Sequence, residues 1–268
     1  MYEGEIKDQG DTVFIRTTPD ITIRDHRKGQ VLVNQQPESA PVTLLIDKGK
    51  YWAFATNKVD DAQTDIKNYA ETWTDDAAEQ LKIEIDTDVL ARVPADVDSA
   101  NKGASAGKIS GDIDLGVDGG VAVALTKANV LEKIVDMGQV LNEQNVPQNG
   151  RWIVIPAFMA GLIMKSDLKD ASLAGDGTSI LRNGRLGMIA EFMVFMSNNL
   201  STGTDSGSAT TTNVLFGTTH GLTFASQLLN NESLPNPNAF GTLFRGLQVF
   251  GDKVIKPEAI GVMSAKKG

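Results

Sequence analysis

The sequence predicts an α+β fold in which an extended β-rich arm and one long helix precede a mixed helix–sheet domain. Three observations predict it. β-Branched clusters separated by turn residues fill the first 57 positions, and an apolar stripe of period three to four then runs from Ala62 to Val89. Apolar content also rises along the chain, from about 30% in residues 1–40 to about 54% in residues 151–200, against 41% overall. An arm so poor in core residues cannot hold itself folded, because two or three isolated strands are marginal in water. The predicted partner is another copy of the chain, with a hairpin folded back on its own domain as the alternative.

In the arm, Val13-Phe14-Ile15, Ile21-Thr22-Ile23 and Val31-Leu32-Val33 read as strands, with turns at Pro19-Asp20 and Lys28-Gly29. Residues 42–56 read as a hairpin, Val42 to Ile46 and Tyr51 to Phe54 around Lys48-Gly49-Lys50. From Asp60 the period changes. Ala62, Ile66, Tyr69, Trp73, Ala77, Leu81, Ile85 and Val89 mark one helix face, Asp60 and Asp61 supply negative charge at its start, and Pro94 stops it. Thirty-four residues at 1.5 Å each make a rod of roughly 50 Å, a strut packed on a sheet, with Asp86, Thr87 and Asp88 weakening its last turns.

Residues 98–120, rich in Gly, Ser, Ala and Asp, read as a loop. A second helix spans about Lys127 to Gln144, a buried strand Trp152 to Ile155, and a helix opened by Pro156 runs to about Met164. A loop containing Gly175, Gly177 and Gly184 leads to a strand over Gly187–Phe195, which holds two of the eight methionines. Residues 201–212 read as a mobile, exposed low-complexity stretch. A short helix over Leu222–Leu229, a Pro/Asn loop at 230–239, and strands near Leu247–Phe250 and Ala259–Met263 close the chain.

Composition narrows the function. The 268 residues carry 34 acidic and 25 basic side chains, a net charge of -9, with no Lys/Arg run suited to a nucleic-acid groove or an anionic membrane. There is no cysteine, which excludes disulfides, thiolate nucleophiles and Cys-ligated metals. The longest apolar run, Trp152 to Met164, is interrupted by Pro156 and Gly161 and is too short to span a bilayer, and no signal peptide is visible. A soluble chain is expected.

Several motifs imitate chemistry. Gly103-Ala-Ser105-Ala-Gly107 has the G-x-S-x-G pattern of a nucleophile elbow, but polar loop lies on both sides and His220 is the sole downstream histidine. Gly107-Lys108 resembles a phosphate loop with the wrong glycine spacing and Ile109 at the hydroxyl position. Asp112, Asp114 and Asp118 resemble a calcium loop without its closing glutamate. His26 sits in a charged turn with no second histidine nearby, and the methionines and phenylalanines of 188–196 read as core. No catalytic, cofactor-binding or metal residues are assigned, and no enzyme activity is expected.

The order of parts, together with Gly150-Arg-Trp-Ile-Val-Ile-Pro156, Gly184-Arg-Leu-Gly-Met-Ile-Ala-Glu-Phe192, Ser197-Asn-Asn-Leu200 and the Lys-Pro-Glu-Ala-Ile segment ending at Ile260, resembles the major capsid proteins of tailed bacteriophages with the Hong Kong 97 phage fold. The resemblance implies an extended β-hairpin loop over residues 1–57 lying on a neighbouring subunit. It implies a peripheral domain with a spine helix over 58–120 and 246–268, and an axial domain over 121–245. It further implies a structural subunit of an icosahedral head, self-assembling as hexamers and pentamers around DNA held only by weak non-specific contact. Scaffolding, portal and decoration proteins are further candidate partners, and the implied location is the virion, after synthesis in the host cytoplasm. Relatives usually carry a further N-terminal arm, so a truncated or processed form is an expectation as well. The alternatives are an encapsulin-like bacterial compartment shell and, from another class, a serine hydrolase using Ser105.

Overall fold

The computed structural model describes residues 12–16, 21–38, 41–58, 69–166, 187–237 and 239–268. The expected turn at Pro19-Asp20, the helix positions Asp60, Asp61, Ala62 and Ile66, and the glycine loop at 175–184 lie outside the described residues.

Among the described residues fifteen α-helices and β-strands follow in chain order. They are β1 (Thr12–Arg16), β2 (Pro41–Leu45), β3 (Lys48–Asn57), α1 (Tyr69–Arg92), β4 (Val123–Leu125), α2 (Val130–Glu143), β5 (Arg151–Ile155), α3 (Ala157–Lys165), β6 (Met188–Ile189), β7 (Phe192–Met196), β8 (Thr202–Thr204), β9 (Thr210–Thr218), β10 (Leu222–Pro235), β11 (Gly241–Val254) and β12 (Ile260–Lys267). They build three sheets. β1 and β2 form a ribbon, β10-β11-β3 form a long antiparallel sheet, and a seven-stranded mixed sheet runs β4-β12-β9-β5-β7-β6 with β8 paired to β9.

The seven-stranded sheet carries most of the core. β5 and β7 pair in parallel, which requires a crossover, and α3 provides it. β5 reads Arg-Trp-Ile-Val-Ile, so alternate residues serve both faces. Ile153 and Ile155 join Ile134, Met137 and Leu141 of α2, Met159 and Ile163 of α3, Phe192, Phe216 and Met263 in one cluster. Trp152 and Val154 point the other way, toward Leu215, Ile260, Val262, the end of α1 at Val89 and Leu90, and Val93 just beyond it. A strand covered on both faces reads as a continuous apolar run, which is why residues 152–155 show no polar alternation.

α1 spans 24 described residues, about 36 Å, and buries only Ile85. Its N-terminal half rests on the long sheet. Phe54 of β3 stacks on its cross-strand partner Phe244 at 5.2 Å, and Trp73 meets Phe54 edge-on at 5.9 Å. Lys48 and Lys50, on the same side of β3, approach Asp88 and Glu84 of the helix at 3.8 and 3.7 Å. The β1–β2 ribbon covers the opposite side, where Val13, Ile15, Leu44 and Ile46 meet Ala225 and Val249. There Gly251 is a requirement, since a Cβ on it would overlap the carbonyl oxygen of Leu45.

Several expectations need correction. Residues 42–46 and 51–54 are strands but not a hairpin: Gly49 lies inside β3 opposite Val249, β3 pairs with β11, and β2 pairs with β1. The aromatic match of Phe54 with Phe244 is available only in β11. Ile21–Ile23 and Val31–Val33 form no strand, although the turn at Lys28-Gly29 is present, with Gly29 at φ +85° and the Gln30 N–H donating to the Arg27 carbonyl.

α1 continues through Asp86, Thr87 and Asp88, because the Thr87 hydroxyl donates to the Ile83 carbonyl 2.8 Å away rather than opening the turn. It then tightens into a 3-10 turn at Val93–Asp96, where Pro94 enters. The strand expected over 187–195 is broken at Ala190 and Glu191, both at positive φ, into the hairpin β6–β7. Residues 222–229 form strand, not helix, and 230–235 continue it rather than forming a loop. Ala, Gln and Leu favour helix locally, but pairing along nearly all of β11 overrides that preference.

Residues 201–212 are ordered, because Asp205 ties the β8–β9 turn together. Its carboxylate accepts the N–H groups of Gly207 at 2.9 Å and Ala209 at 2.7 Å and pairs with Lys266. β12 is hydrogen-bonded between β4 and β9 in the seven-stranded sheet.

Candidate assembly surface

The arm projects from the β1–β2 ribbon and carries its apolar residues outward. Ile23 is 90% exposed and Val31 86%, with Ile21, Leu32 and Val33 also open to solvent. The two legs touch where the Thr22 N–H donates to Gln35 Oε1 at 3.0 Å, and the tip is closed by Arg27 N–H donating to Gln30 Oε1 at 3.1 Å. Neither contact buries apolar surface. Clustered exposed residues of this kind mark an interaction site rather than a finished surface.

A second apolar edge lies at the far end of the seven-stranded sheet. Met188, Met193, Phe195 and Met196 of the β6–β7 hairpin are each at least half exposed. Sequence reasoning assigned this run to core. Only its alternate members, Ile189, Phe192 and Val194, face inward.

Arg151 fixes that hairpin. Its side chain is fully buried, and its guanidinium donates to Glu191 Oε2 at 3.0 Å, Asn142 Oδ1 at 2.7 Å and the carbonyls of Val146 and Pro147 at 2.7 and 3.2 Å. Burial lowers its pKa and the Glu191 carboxylate opposes that shift, so the guanidinium remains charged. Glu191 sits on the strained turn, and the ion pair holds the turn in its left-handed conformation. Arg151 was visible in the sequence only as the flank of an apolar strand.

The motifs that imitate chemistry come apart. Ser105 is exposed in a loop between turns, His220 is exposed beyond β9, and no hydrogen bond joins them. Neither a strand-to-helix elbow nor a base is in place. The glycine loop does bind an anion, but the anion is the protein's own: Glu143, at the end of α2, accepts the N–H groups of Ile109 at 2.8 Å and Ser110 at 3.0 Å. Those backbone bonds, Ser110 foremost, pull its pKa from 4.5 to about 2. Gly107 at φ +100° lets the loop close over the carboxylate.

Asp114 accepts the Gly116 N–H at 2.8 Å, and Asp118 accepts from Asn213 at 3.1 Å, so two of the three aspartates serve loop geometry. His26 is exposed at the arm tip. Among the described residues no group of three or more His, Asp or Glu is placed to hold a metal ion, and no helix is long and apolar enough to cross a membrane.

No protein-family model matches the chain, and no curated protein matches its sequence. Solved structures do match. The chain is similar to a structure described as Mycobacterium phage Che8, at 23% identity over 95% of this chain and 84% of that one, with a TM-score of 0.71. It is similar to the capsid of the cyanophage P-SCSP1u at 15% identity, 97% and 85% coverage, TM-score 0.67. It is similar to the mature capsid of bacteriophage PhiM1 at 15% identity, 97% and 84% coverage, TM-score 0.66. At these identities the likeness lies in architecture, and it covers nearly the whole chain. The chain has the α+β fold of tailed-phage capsid subunits, the Hong Kong 97 phage type.

Proposed function

We propose that this protein is a structural, non-enzymatic subunit of an icosahedral phage head, self-assembling as hexamers and pentamers around packaged DNA. The observation that carries this reading is the unpartnered arm: a segment with Ile21, Ile23, Val31, Leu32 and Val33 in solvent is folded economically only against another subunit. Its emergence from a capsid fold supports a shell as the assembly. The arm with its β1–β2 ribbon corresponds to the extended loop, α1 with the long sheet to the peripheral region, and the seven-stranded sheet with α2 and α3 to the axial region.

A closed shell sums many modest contacts, so no single strong interface is required. The net charge of -9 suits an inner wall that does not hold its DNA tightly. Scaffolding, portal and decoration proteins are the expected accessory partners, and the virion is the expected location.

Light scattering on a sizing column, with negative-stain images of each peak, tests the proposal. Hexamers, pentamers or closed shells are expected. A chain that stays monomeric at every concentration, with measurable ester hydrolysis abolished by Ser105→Ala, would return the reading to a hydrolase.

A further inference from the structure

The face of the seven-stranded sheet that meets the end of α1 changes character along its length. Leu215 of β9 and Ile260 and Val262 of β12 lie in the apolar cluster with Val89, Leu90 and Val93. Alternate residues of a strand share a face, so Asn213 and Thr211 of β9 and Ser264 of β12 continue this one, and all three are polar. They are almost fully buried, at 3%, 0% and 3% exposure.

Among the described residues five buried side-chain polar atoms have no hydrogen-bond partner, and three of the five are here: Thr211 Oγ1, Asn213 Oδ1 and Ser264 Oγ. A few such atoms scattered through a fold are ordinary; three gathered on one face call for a donor. Asn213 and Ser264 are cross-strand partners. Their N–H groups donate away from each other, to the carbonyls of Ser201 and Leu115. This is therefore a non-hydrogen-bonded pair, in which side chains stand closest, with Cβ atoms about 4.5–5.5 Å apart.

The Asn213 amide is held in orientation. Its Nδ2 donates to Asp118 Oδ2 and to Ser201 Oγ, both at 3.1 Å, which leaves Oδ1 as a fixed, unused acceptor. Space beside the other Asp118 oxygen is kept by Gly203, where a Cβ would lie 2.8 Å from Asp118 Oδ1. Asp118, Asn213 and Ser264 open on a cleft of about 520 Å³ at the end of α1, whose walls include Ala91, Pro94, Val262 and Lys102. A cleft of that size, with small apolar walls and a few convergent polar groups, has the form of a small-molecule site.

The acceptors set the chemistry of the ligand. A carboxylate oxygen, an amide oxygen and a hydroxyl facing one cleft match a primary ammonium, which has three hydrogens to donate and accepts none. One carboxylate beside a lysine is poorly charged for a divalent cation, which draws on several oxygen ligands. Lys102, whose Nζ donates to the Pro94 carbonyl at 3.4 Å, also disfavours a second ammonium in the cleft and favours an anionic group.

We propose that this cleft binds a small ω-amino carboxylate, its ammonium on Asp118, Asn213 Oδ1 and Ser264 Oγ and its aliphatic stem along Ala91, Pro94 and Val262. The site is complete within one subunit, so it forms whether or not copies assemble.

Equilibrium dialysis of the full chain against radiolabelled 6-aminohexanoate tests it. Saturable uptake of one molecule per subunit is expected, with hexanoate and 1,5-diaminopentane each competing about tenfold less well or worse. Asp118→Asn keeps an oxygen for the Asn213 amide but loses the charge, and should weaken uptake by about tenfold or more in a chain with an unchanged melting temperature. Should that variant fail to fold, Ser264→Ala removes a single hydroxyl and should weaken uptake by about threefold or more. Lys102→Met should erase the preference for 6-aminohexanoate over the diamine. Uptake that does not saturate, that the folded variant leaves unchanged, or that hexanoate or the diamine blocks equally well overturns the proposal and leaves the three oxygens to water. A preference that survives Lys102→Met overturns it as well. None of these outcomes bears on the shell reading, which the sizing column tests by itself.

Discussion

The seven-stranded sheet and the long sheet with its arm are held together to different degrees. The first is sandwiched between α2 and α3 on one face and the end of α1 on the other, with Phe192, Phe216, Ile134 and Met159 excluded from solvent. The second has a ribbon cluster of five buried residues, a helix that buries one, and an arm that buries nothing among its described residues. One half is complete in a single copy; the other, on the reading proposed above, is left for a neighbour to complete. Stability of the subunit and stability of the assembly therefore reside in different residues, and substitutions should separate them.

The largest effect is expected at the centre of the complete half. Phe216→Ala removes a fully buried ring packed edge-on to Phe192 and should cost about 3–5 kcal/mol in urea unfolding of the subunit. A loss below 1 kcal/mol would mean that this core is not the one that holds the fold. Arg151→Met leaves the Val146 and Pro147 carbonyls and Asn142 without their donor and strands Glu191 on a strained turn, for a loss of about 3–5 kcal/mol. Amide exchange should then quicken first in β6–β7, and uniform acceleration across the sheet would contradict the role given to this arginine.

Gly251→Ala sharpens the comparison from the other side. The new methyl collides with the backbone at Leu45, so the β1–β2 ribbon should lift while the seven-stranded sheet keeps its protection, at a cost of about 1–3 kcal/mol. Cleavage between residues 16 and 41 by a protease, compared before and after the substitution, reads this directly.

The pH dependence is smaller and local. Glu143 has its pKa depressed in the folded state, so its contribution is fully present above about 4.5 and disappears as pH falls toward 2. Urea midpoints of wild type and Glu143→Gln should differ at pH 6 and converge by pH 2; a constant gap would remove the carboxylate from the account. Smallest of all, Ser105→Ala should change subunit stability by less than about 0.5 kcal/mol, since the side chain lies in solvent.

The sequence revealed some of this and hid the rest for identifiable reasons. The second helix, the strand at 152–155 and the helix after Pro156 were legible because their apolar spacing matches local geometry and their boundaries carry Asn-Gly and Pro signals. β10 was misread as helix because its partner lies across a turn in β11, and local preference cannot register a long antiparallel pairing. The order in 201–212 was missed because a serine–threonine stretch looks like linker. Its one distinguishing residue, Asp205 two before Gly207, is a turn former whose carboxylate ends up paired with distant Lys266. The exposed arm was legible from composition alone. The Met188–Met196 edge was not, since a half-buried strand and a fully buried one share an apolar vocabulary.

α1 has a mechanical consequence. Its C-terminal end is anchored through Val89 and Leu90 in the two-sided core, while Trp73, about 24 Å back along the helix, rides on the long sheet. A rod clamped at one end is a lever: a rotation of about 10° at the clamp carries Trp73 through roughly 4 Å. In a shell of the kind proposed above, small tilts of the seven-stranded half would thus become larger displacements at the long sheet, a way to change radius without unfolding any part.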